Sequence, residues 1–249
     1  VMSYENDQGE LVNKANGLQY ISSRHLVAGF SYLTDFNTKF SVEGFYKQYD
    51  DYPLLLEDGI SLANRGGDFG VVGNEEADAS SEGRSYGMEV LAQQKFYKGF
   101  YGVLAYTLVW SEFTNADGSY TPSSWDNRHI VSLTGGKKFD NGWELGLKWR
   151  FQGGGPYTPY DERLSARKVV WDVRSEGIPD YDRINERRRP AQHGLDVRID
   201  KTFYLDNFNL DVYLDVQNAY NFQAEGQPFL TVKRDQEGNP LTDPQNHNA

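Results

Sequence analysis

Charged side chains recur at alternate positions of several strand-like runs: Glu43, Glu89, Glu144, Lys148, Arg150, Asp196, Arg198, Asp200, Asp211 and Asp215. Carboxylates in this number invite an acid/base enzyme. That chemistry needs two carboxyls converging on a pocket, or a Ser/His arrangement that activates a nucleophile. Neither can be located, so the chain reads as a non-enzyme. Opposite charges such as Arg198 with Asp211 or Asp215 suit the bracing of a wall. Histidine offers no more. His25, His129 and His193 each stand second in a strand-like run, after Arg24, Arg128 and Gln192. They fall on different hairpins and form no HExxH-like pair, so they read as polar caps at strand rims, not as metal ligands. The acidic run Glu75–Glu82 matches no calcium-loop spacing. Gly153-Gly154-Gly155 lacks the GKS/T ending and the following helix of a phosphate loop, and reads as a flexible strand exit. With 0 cysteines, thiol, disulfide and cysteine–metal chemistry are excluded. No cofactor is expected.

What remains is recognition. The segment Tyr157–Arg189 mixes aromatic rings with a dense set of guanidinium groups. Aromatic and Arg side chains dominate binding hot spots, and loops held on a rigid scaffold carry recognition. The candidate contacts for a substrate or partner are Tyr157, Tyr160, Arg163, Arg167, Trp171, Arg174, Tyr181 and Arg183. The competing reading is a loop that packs against lipopolysaccharide phosphates or its own neighbours.

The elements that must position these groups are strands. Trp143–Gln152, WELGLKWRFQ, puts Trp143, Leu145, Leu147, Trp149 and Phe151 on one face, against Glu144, Gly146, Lys148, Arg150 and Gln152 on the other. Phe208–Gln217, FNLDVYLDVQ, repeats the pattern. Strands of soluble domains usually run about 5–6 residues, whereas a membrane-spanning strand needs roughly 9–11. Further strand-like runs cover Arg24–Leu33, Lys39–Tyr49, Ser85–Phe96, Phe100–Phe113, Arg128–Phe139 and His193–Tyr204, and the last run extends to Tyr220. Short turns at Thr34–Thr38, Tyr97–Gly99, Asp140–Gly142 and Leu205–Asn207 alternate with long segments at Asp50–Arg84, Thr114–Asn127 and Gly153–Gln192. A fourth long segment begins at Asn221. Asn141-Gly142 carries the hairpin signal of two residues that tolerate positive φ. Short turns alternating with long loops are what an up-and-down membrane barrel produces, with tight periplasmic turns and long extracellular loops. Trp143 then lies near the periplasmic rim and Gln152 near the outside.

Composition agrees with that reading. Apolar residues make up 38% of the 249, yet the chain holds 17 Tyr and 14 Phe, which suit aromatic girdles at two membrane interfaces. The mean hydropathy is −0.69, and no apolar run approaches the roughly 18 residues of a membrane helix. A net charge of −11 argues against nucleic acid as a partner. The chain opens VMSYENDQGE, without the basic and apolar regions of a signal peptide, as a mature exported protein or a C-terminal piece would.

Several stretches resemble the C-terminal barrel of a TonB-dependent outer-membrane receptor of the Bacteroidetes type. They are Val42–Pro53, VEGFYKQYDDYP; Gly83–Gln94, GRSYGMEVLAQQ; Trp125–Val131, WDNRHIV; Gly154–Pro159, GGPYTP; and Tyr181–Asn221, with its Arg-Arg-Pro loop end and its Asn-Ala-Tyr-Asn close. The resemblance implies an all-β, antiparallel, up-and-down transmembrane barrel segment, about 8–10 strands of a barrel of about 22. Residues 1–249 would be the C-terminal part of such a receptor, without its plug domain and final strand. It implies active import of a scarce nutrient, a small molecule, glycan or peptide, powered by TonB through the N-terminal plug. Outer-membrane lipid is the expected surround, and a SusD-like surface lipoprotein partner follows by analogy alone. Glu144, Lys148, Arg150, Asp196, Arg198, Asp211 and Asp215 would face the lumen, bracing the wall or touching plug or substrate. Two other readings stay open: a passive porin or small barrel, and a soluble β-rich binding or adhesion domain, which would bury Trp143, Trp149 and Phe151 in protein.

Overall fold

The computed structural model describes residues 4–66 and 75–238. Eight long strands form one continuous antiparallel sheet, each paired with the next in sequence. They are β1 (Ser22–Leu33), β2 (Thr38–Leu55), β4 (Ala77–Tyr97), β5 (Phe100–Thr114), β7 (Arg128–Lys138), β8 (Trp143–Gln152), β11 (Gln192–Tyr204) and β12 (Asn209–Val216). Two short strands join this sheet at its loop end: β3 (Ile60–Ser61) on β2 and β6 (Tyr120–Pro122) on β5. A separate pair, β9 (Pro156–Tyr157) with β10 (Arg187–Arg188), ties the longest loop together. The helices are single turns or little more: α1 (Val12–Ala15), α2 (Leu62–Arg65), α3 (Glu162–Ser165) and α4 (Lys168–Val173). No helix among the described residues is long and apolar enough to cross a membrane.

Register turns the alternation into two faces. One hydrogen-bonded row runs Tyr32, Phe40, Ala92, Leu104, Leu133, Trp149 and Leu195 across seven strands. The row beside it runs Phe30, Val42, Val90, Tyr106, Val131, Phe151 and His193. Below them lie Leu147 with Val197 and Val216, then Leu145 with Ile199 and Leu214. Along these rows the face is apolar except for His193, and Lys137 and Lys201 stand on it at the turn end. The opposite face carries Glu43 beside Glu89, Lys148 beside Asp196, and Glu144 beside Asp200. Each row starts near the turn end of β1 and finishes near the loop end of β11. That stagger is the strand tilt a closed barrel requires.

Among the described residues no second layer covers the apolar face. Leu26 and Phe30 are 71% exposed, Leu214 62% and Trp143 45%. The buried apolar residues lie elsewhere: Leu18, Leu54, Leu55, Ile60, Ala63, Ala77, Phe113, Val170, Trp171 and Ile184 are all at the loop end. Phe113 stacks on Tyr49 and meets Tyr52 at a tilt, with ring centroids 5.5 and 4.5 Å away. The protein's own hydrophobic core is thus a cap above the sheet. The face that a soluble sandwich would bury is left for an apolar medium outside the chain.

Several local expectations need correction. The segment from Asp50 to Arg84 is not one long loop, because β2 continues to Leu55 and β4 begins at Ala77. The register shifts near Tyr52 and the positive φ of Asp51 (60°) break the two-residue alternation there, which hides the strand from a periodicity argument. Most of the acidic run Glu75–Glu82 is therefore strand. The last strand stops at Val216, short of Tyr220. Asn218 (φ 49°) then turns the chain, its side chain accepting from Phe222 N and donating to Phe222 O at 2.8 and 2.9 Å.

The hairpin at Asp140–Gly142 places only Gly142 at positive φ, 81°, with its N–H donating to Phe139 O. The two-residue primed turn is instead Lys98-Gly99, with φ values of 50° and 83°. Nor is Gly153–Gly155 a flexible exit. A Cβ on Gly154 would lie 1.5 Å from Arg189 O, and one on Gly153 would lie 2.2 Å from Asn127 O, so these glycines permit close backbone packing.

Candidate functional site: a cavity among the loops

The loop end is held together by buried polar side chains that bond to backbone and side chains of other loops. Asn185 Nδ2 donates to Asn64 O (2.6 Å) and Pro122 O (2.8 Å). Asn64 Nδ2 donates to Phe113 O and to Asn115 Oδ1, both at 2.9 Å. Asn13 Oδ1 accepts from Ala77 N at 2.8 Å. Asp126, with no exposed surface, is the densest junction. It accepts from Ser111 N (3.0 Å) and Arg128 Nε (2.8 Å), and it pairs with Arg188. Arg188 also donates to Asp126 O (2.6 Å) and Gly154 O (3.1 Å). A buried carboxylate between two guanidinium groups locks the loop after β8 onto the loop before β7.

The segment between β9 and β10 folds on its own local contacts. Asp161 caps α3 by accepting from Leu164 N at 2.8 Å. Trp171, on α4, is buried and donates its indole N–H to Ser165 O at 2.6 Å. Ser165 Oγ accepts from Ile178 N at 2.9 Å. Beside this knot opens a cavity of about 320 Å³, lined chiefly by Arg65, Trp125, Tyr157, Tyr160, Tyr181 and Arg189. Arg65 is anchored on its far side by Glu75 and by Asp58 at 3.5 Å, with its guanidinium 5.9 Å from the Tyr181 ring centre. Burial opposes its charge. The Glu75 hydrogen bond and the charges of Tyr181, Glu75 and Asp58 outweigh that and push its pKa up. Trp125 is 54% exposed. Aromatic faces with fixed guanidinium donors offer stacking and charge-assisted hydrogen bonds to a ligand, without a reactive group.

The structure brings together three of the sequence candidates, Tyr157, Tyr160 and Tyr181. It does not gather the others. Trp171 packs inside the loop and is closed to a ligand. Arg163 and Arg167 are exposed and lie outside the cavity lining. Arg174 pairs with Glu176 at 3.3 Å. Arg183 holds Glu186 through two N–H groups at 2.6 and 3.1 Å, and these hydrogen bonds lower the Glu186 pKa and raise that of Arg183. Arg65, Trp125 and Arg189 were not among the candidates. Trp125 stands in WDNRHIV and Arg189 in the Arg-Arg-Pro loop end, two of the stretches that carry the family resemblance. Arg65 carried no signal of its own.

On the polar face of the sheet, Glu144, Lys148, Arg150, Asp196, Arg198, Asp211 and Asp215 stand together by register. Arg150 pairs with Asp196 at 3.1 Å. Arg198 stands opposite Asp215 but pairs with neither Asp215 nor Asp211. It reaches along its own strand to Asp200 (2.7 Å) and lies 3.9 Å from the centre of the Tyr213 ring, which faces Asp200. Asp211 accepts from Thr202 Oγ1 at 2.6 Å. The histidines divide: His129 and His193 lie on the apolar face, near Tyr106 OH (2.9 Å) and Tyr220 OH (2.7 Å), while His25 lies on the polar face. Among the described residues no cluster of three or more His, Cys, Asp or Glu is placed to hold a metal ion.

No known family model and no curated protein matches the sequence. Solved structures do match. The ferripyoverdine receptor of the Pseudomonas aeruginosa outer membrane aligns over 88% of this chain and 25% of its own, with a TM-score of 0.58 and 13% identity. The ferric-catecholate import receptor Fiu of Escherichia coli aligns over 82% and 24%, with a TM-score of 0.55 and 13% identity. The FrpB iron transporter of Neisseria meningitidis aligns over 83% and 28%, with a TM-score of 0.54 and 15% identity. The chain spans about a quarter of the length of these receptors. What it shares with them is the fold, an antiparallel up-and-down sheet of the kind that walls outer-membrane receptor barrels.

Proposed function

We propose that the chain is a wall segment, with its extracellular loops, of a TonB-dependent active transporter in the bacterial outer membrane. The observation that carries this is the uncovered apolar face of a sheet whose edge strands, β1 and β12, each have a neighbour on one side only. Such edges within a membrane demand further strands. The match to about a quarter of each receptor supplies the scale of the missing wall. On this reading residues 1–249 are a C-terminal part of the barrel. The polar face lines the lumen, the surround is outer-membrane lipid, and TonB acts through a plug domain. A SusD-like lipoprotein would sit over the loops if the Bacteroidetes likeness holds. The protein performs no covalent chemistry. The cavity among the loops is the first contact for the imported nutrient. The receptors named above are described with ferripyoverdine, ferric catecholate and iron; a compact ligand bearing anionic groups suits Arg65 and Arg189.

The test is uptake by the full-length protein in cells with and without TonB, paired with conductance in a planar bilayer. Uptake that needs TonB, with a closed pore in the bilayer, is expected. Arg189→Ala with Tyr157→Ala should weaken ligand binding about tenfold or more, the range for hot-spot residues. Steady ion conductance without TonB would contradict the proposal and favour a porin.

A further inference from the structure

At the turn end of the sheet the apolar face changes character. Phe100 is paired with Lys137 and Trp143 with Lys201, all on that face. Lys137 Nζ stands 4.4 Å from the Phe100 ring centre and 5.1 Å from that of Phe139. Lys201 Nζ is 5.3 Å from Trp143 and 5.4 Å from Phe203, and donates one proton to Asn141 O at 2.6 Å. Lys98 Nζ is 5.4 Å from Tyr97. A concavity of about 680 Å³ opens between these turns, walled by Phe96, Lys98, Lys137 and Phe139, by Lys138 and Tyr204 from the polar side of the sheet, and by Asp140 as its one carboxylate.

The two ends of the apolar face treat positive charge differently. At the loop end the cations are arginines already matched to carboxylates: Arg24 with Asp50, Arg84 with Glu112, and Arg128 with Asp126. At the turn end they are lysines, and no ion pair among the described residues engages Lys98, Lys137 or Lys201. Phe100 (52%), Phe139 (41%) and Trp143 (45%) beside them are exposed. In a chain of net charge −11, unmatched ammonium groups set among exposed rings on a lipid-facing rim need an anionic amphiphile to complete them. Lipid A phosphates would lie against the loop end; the turn end meets the periplasmic leaflet, which is phospholipid.

We propose that this rim is a binding site for an anionic phospholipid, its phosphate held by Lys98, Lys137 and Lys201 and its glycerol and first acyl carbons packed on Phe100, Phe139 and Trp143. The inference rests on the membrane-wall reading. The test is electron paramagnetic resonance of spin-labelled phosphatidylglycerol and spin-labelled phosphatidylcholine, with the full-length protein in phosphatidylcholine vesicles. The wild type should immobilise phosphatidylglycerol preferentially, by about fivefold for each lysine engaged. The K98Q/K137Q/K201Q variant should lose that preference while still immobilising phosphatidylcholine. Equal immobilisation of both lipids by the wild type overturns the site and leaves the wall intact, as does a preference that survives in the variant. Release by inorganic phosphate at constant ionic strength would mark a free-anion site and also overturn it. Immobilisation of neither lipid overturns the wall reading itself.

Discussion

Asp126 shows how much of the loop architecture rests on single side chains. Its carboxylate has no exposed surface and answers two guanidinium groups and one backbone N–H from three segments. Asp126→Ala leaves Arg128 and Arg188 without their common counter-charge at a half-buried site. Breaking such a pair from one side costs about 3 kcal/mol. The expected outcome is much faster amide hydrogen exchange over residues 154–189 and at the Ser111 amide, with β8 and the rest of β5 unchanged. Protection that stays at the wild-type level across that segment would show that Asp126 is not the lock. The sequence made the charges legible at this scale but not their pairings. Alternation places Arg198 on the right face, yet its choice of Asp200 over Asp215 depends on where the Tyr213 ring lies. Trp171 illustrates the same limit, since a tryptophan in a cationic loop reads equally as a ligand contact or as the loop's own core.

At the scale of elements, the sequence marks all eight long strands as strand-like runs, and in Trp143–Gln152 and Phe208–Gln217 the two-residue period separates an apolar from a polar face. It failed where only water and protein meet. Beyond Tyr49 the strand β2 leaves the apolar band, passes Asp51 and Pro53, and ends in Leu54 and Leu55 packed beneath the loops. Short elements such as β9 and β10 have no period to read and depend on contact geometry. Gly154 is the clearest case, since Arg189 O occupies the place of a Cβ. Gly154→Ala must push β9 and β10 apart, and overpacking of this kind costs about 1–3 kcal/mol. The Arg189 amide, which donates to Gly155 O at 3.0 Å, should then lose its exchange protection, and ligand affinity should fall with the cavity wall. An alanine variant with that amide fully protected would contradict the close-packing account of this glycine run.

For the whole molecule, the decisive feature is the division of labour between cap and wall. The cap holds the buried apolar residues and nearly all the buried polar bonds, as a small water-soluble core does. The wall exposes an apolar face, edged by Lys137 and Lys201 at the turn end, and a charged face, the arrangement that the proposed membrane wall needs, with lipid on the first and water on the second. This much was legible from WELGLKWRFQ and its relatives; the cap was not, because its contacts join residues as distant as Asn64 and Asn185. The most direct test scans β8. Spin labels are placed in turn from Trp143 to Gln152 of the full-length protein in phosphatidylcholine vesicles, and collisions with oxygen and with a water-soluble nickel chelate are measured. Labels at 143, 145, 147, 149 and 151 should favour oxygen, and labels at 144, 146, 148, 150 and 152 should favour the chelate. Access of the chelate to both sets, or an alternation of the opposite phase, would contradict the membrane wall.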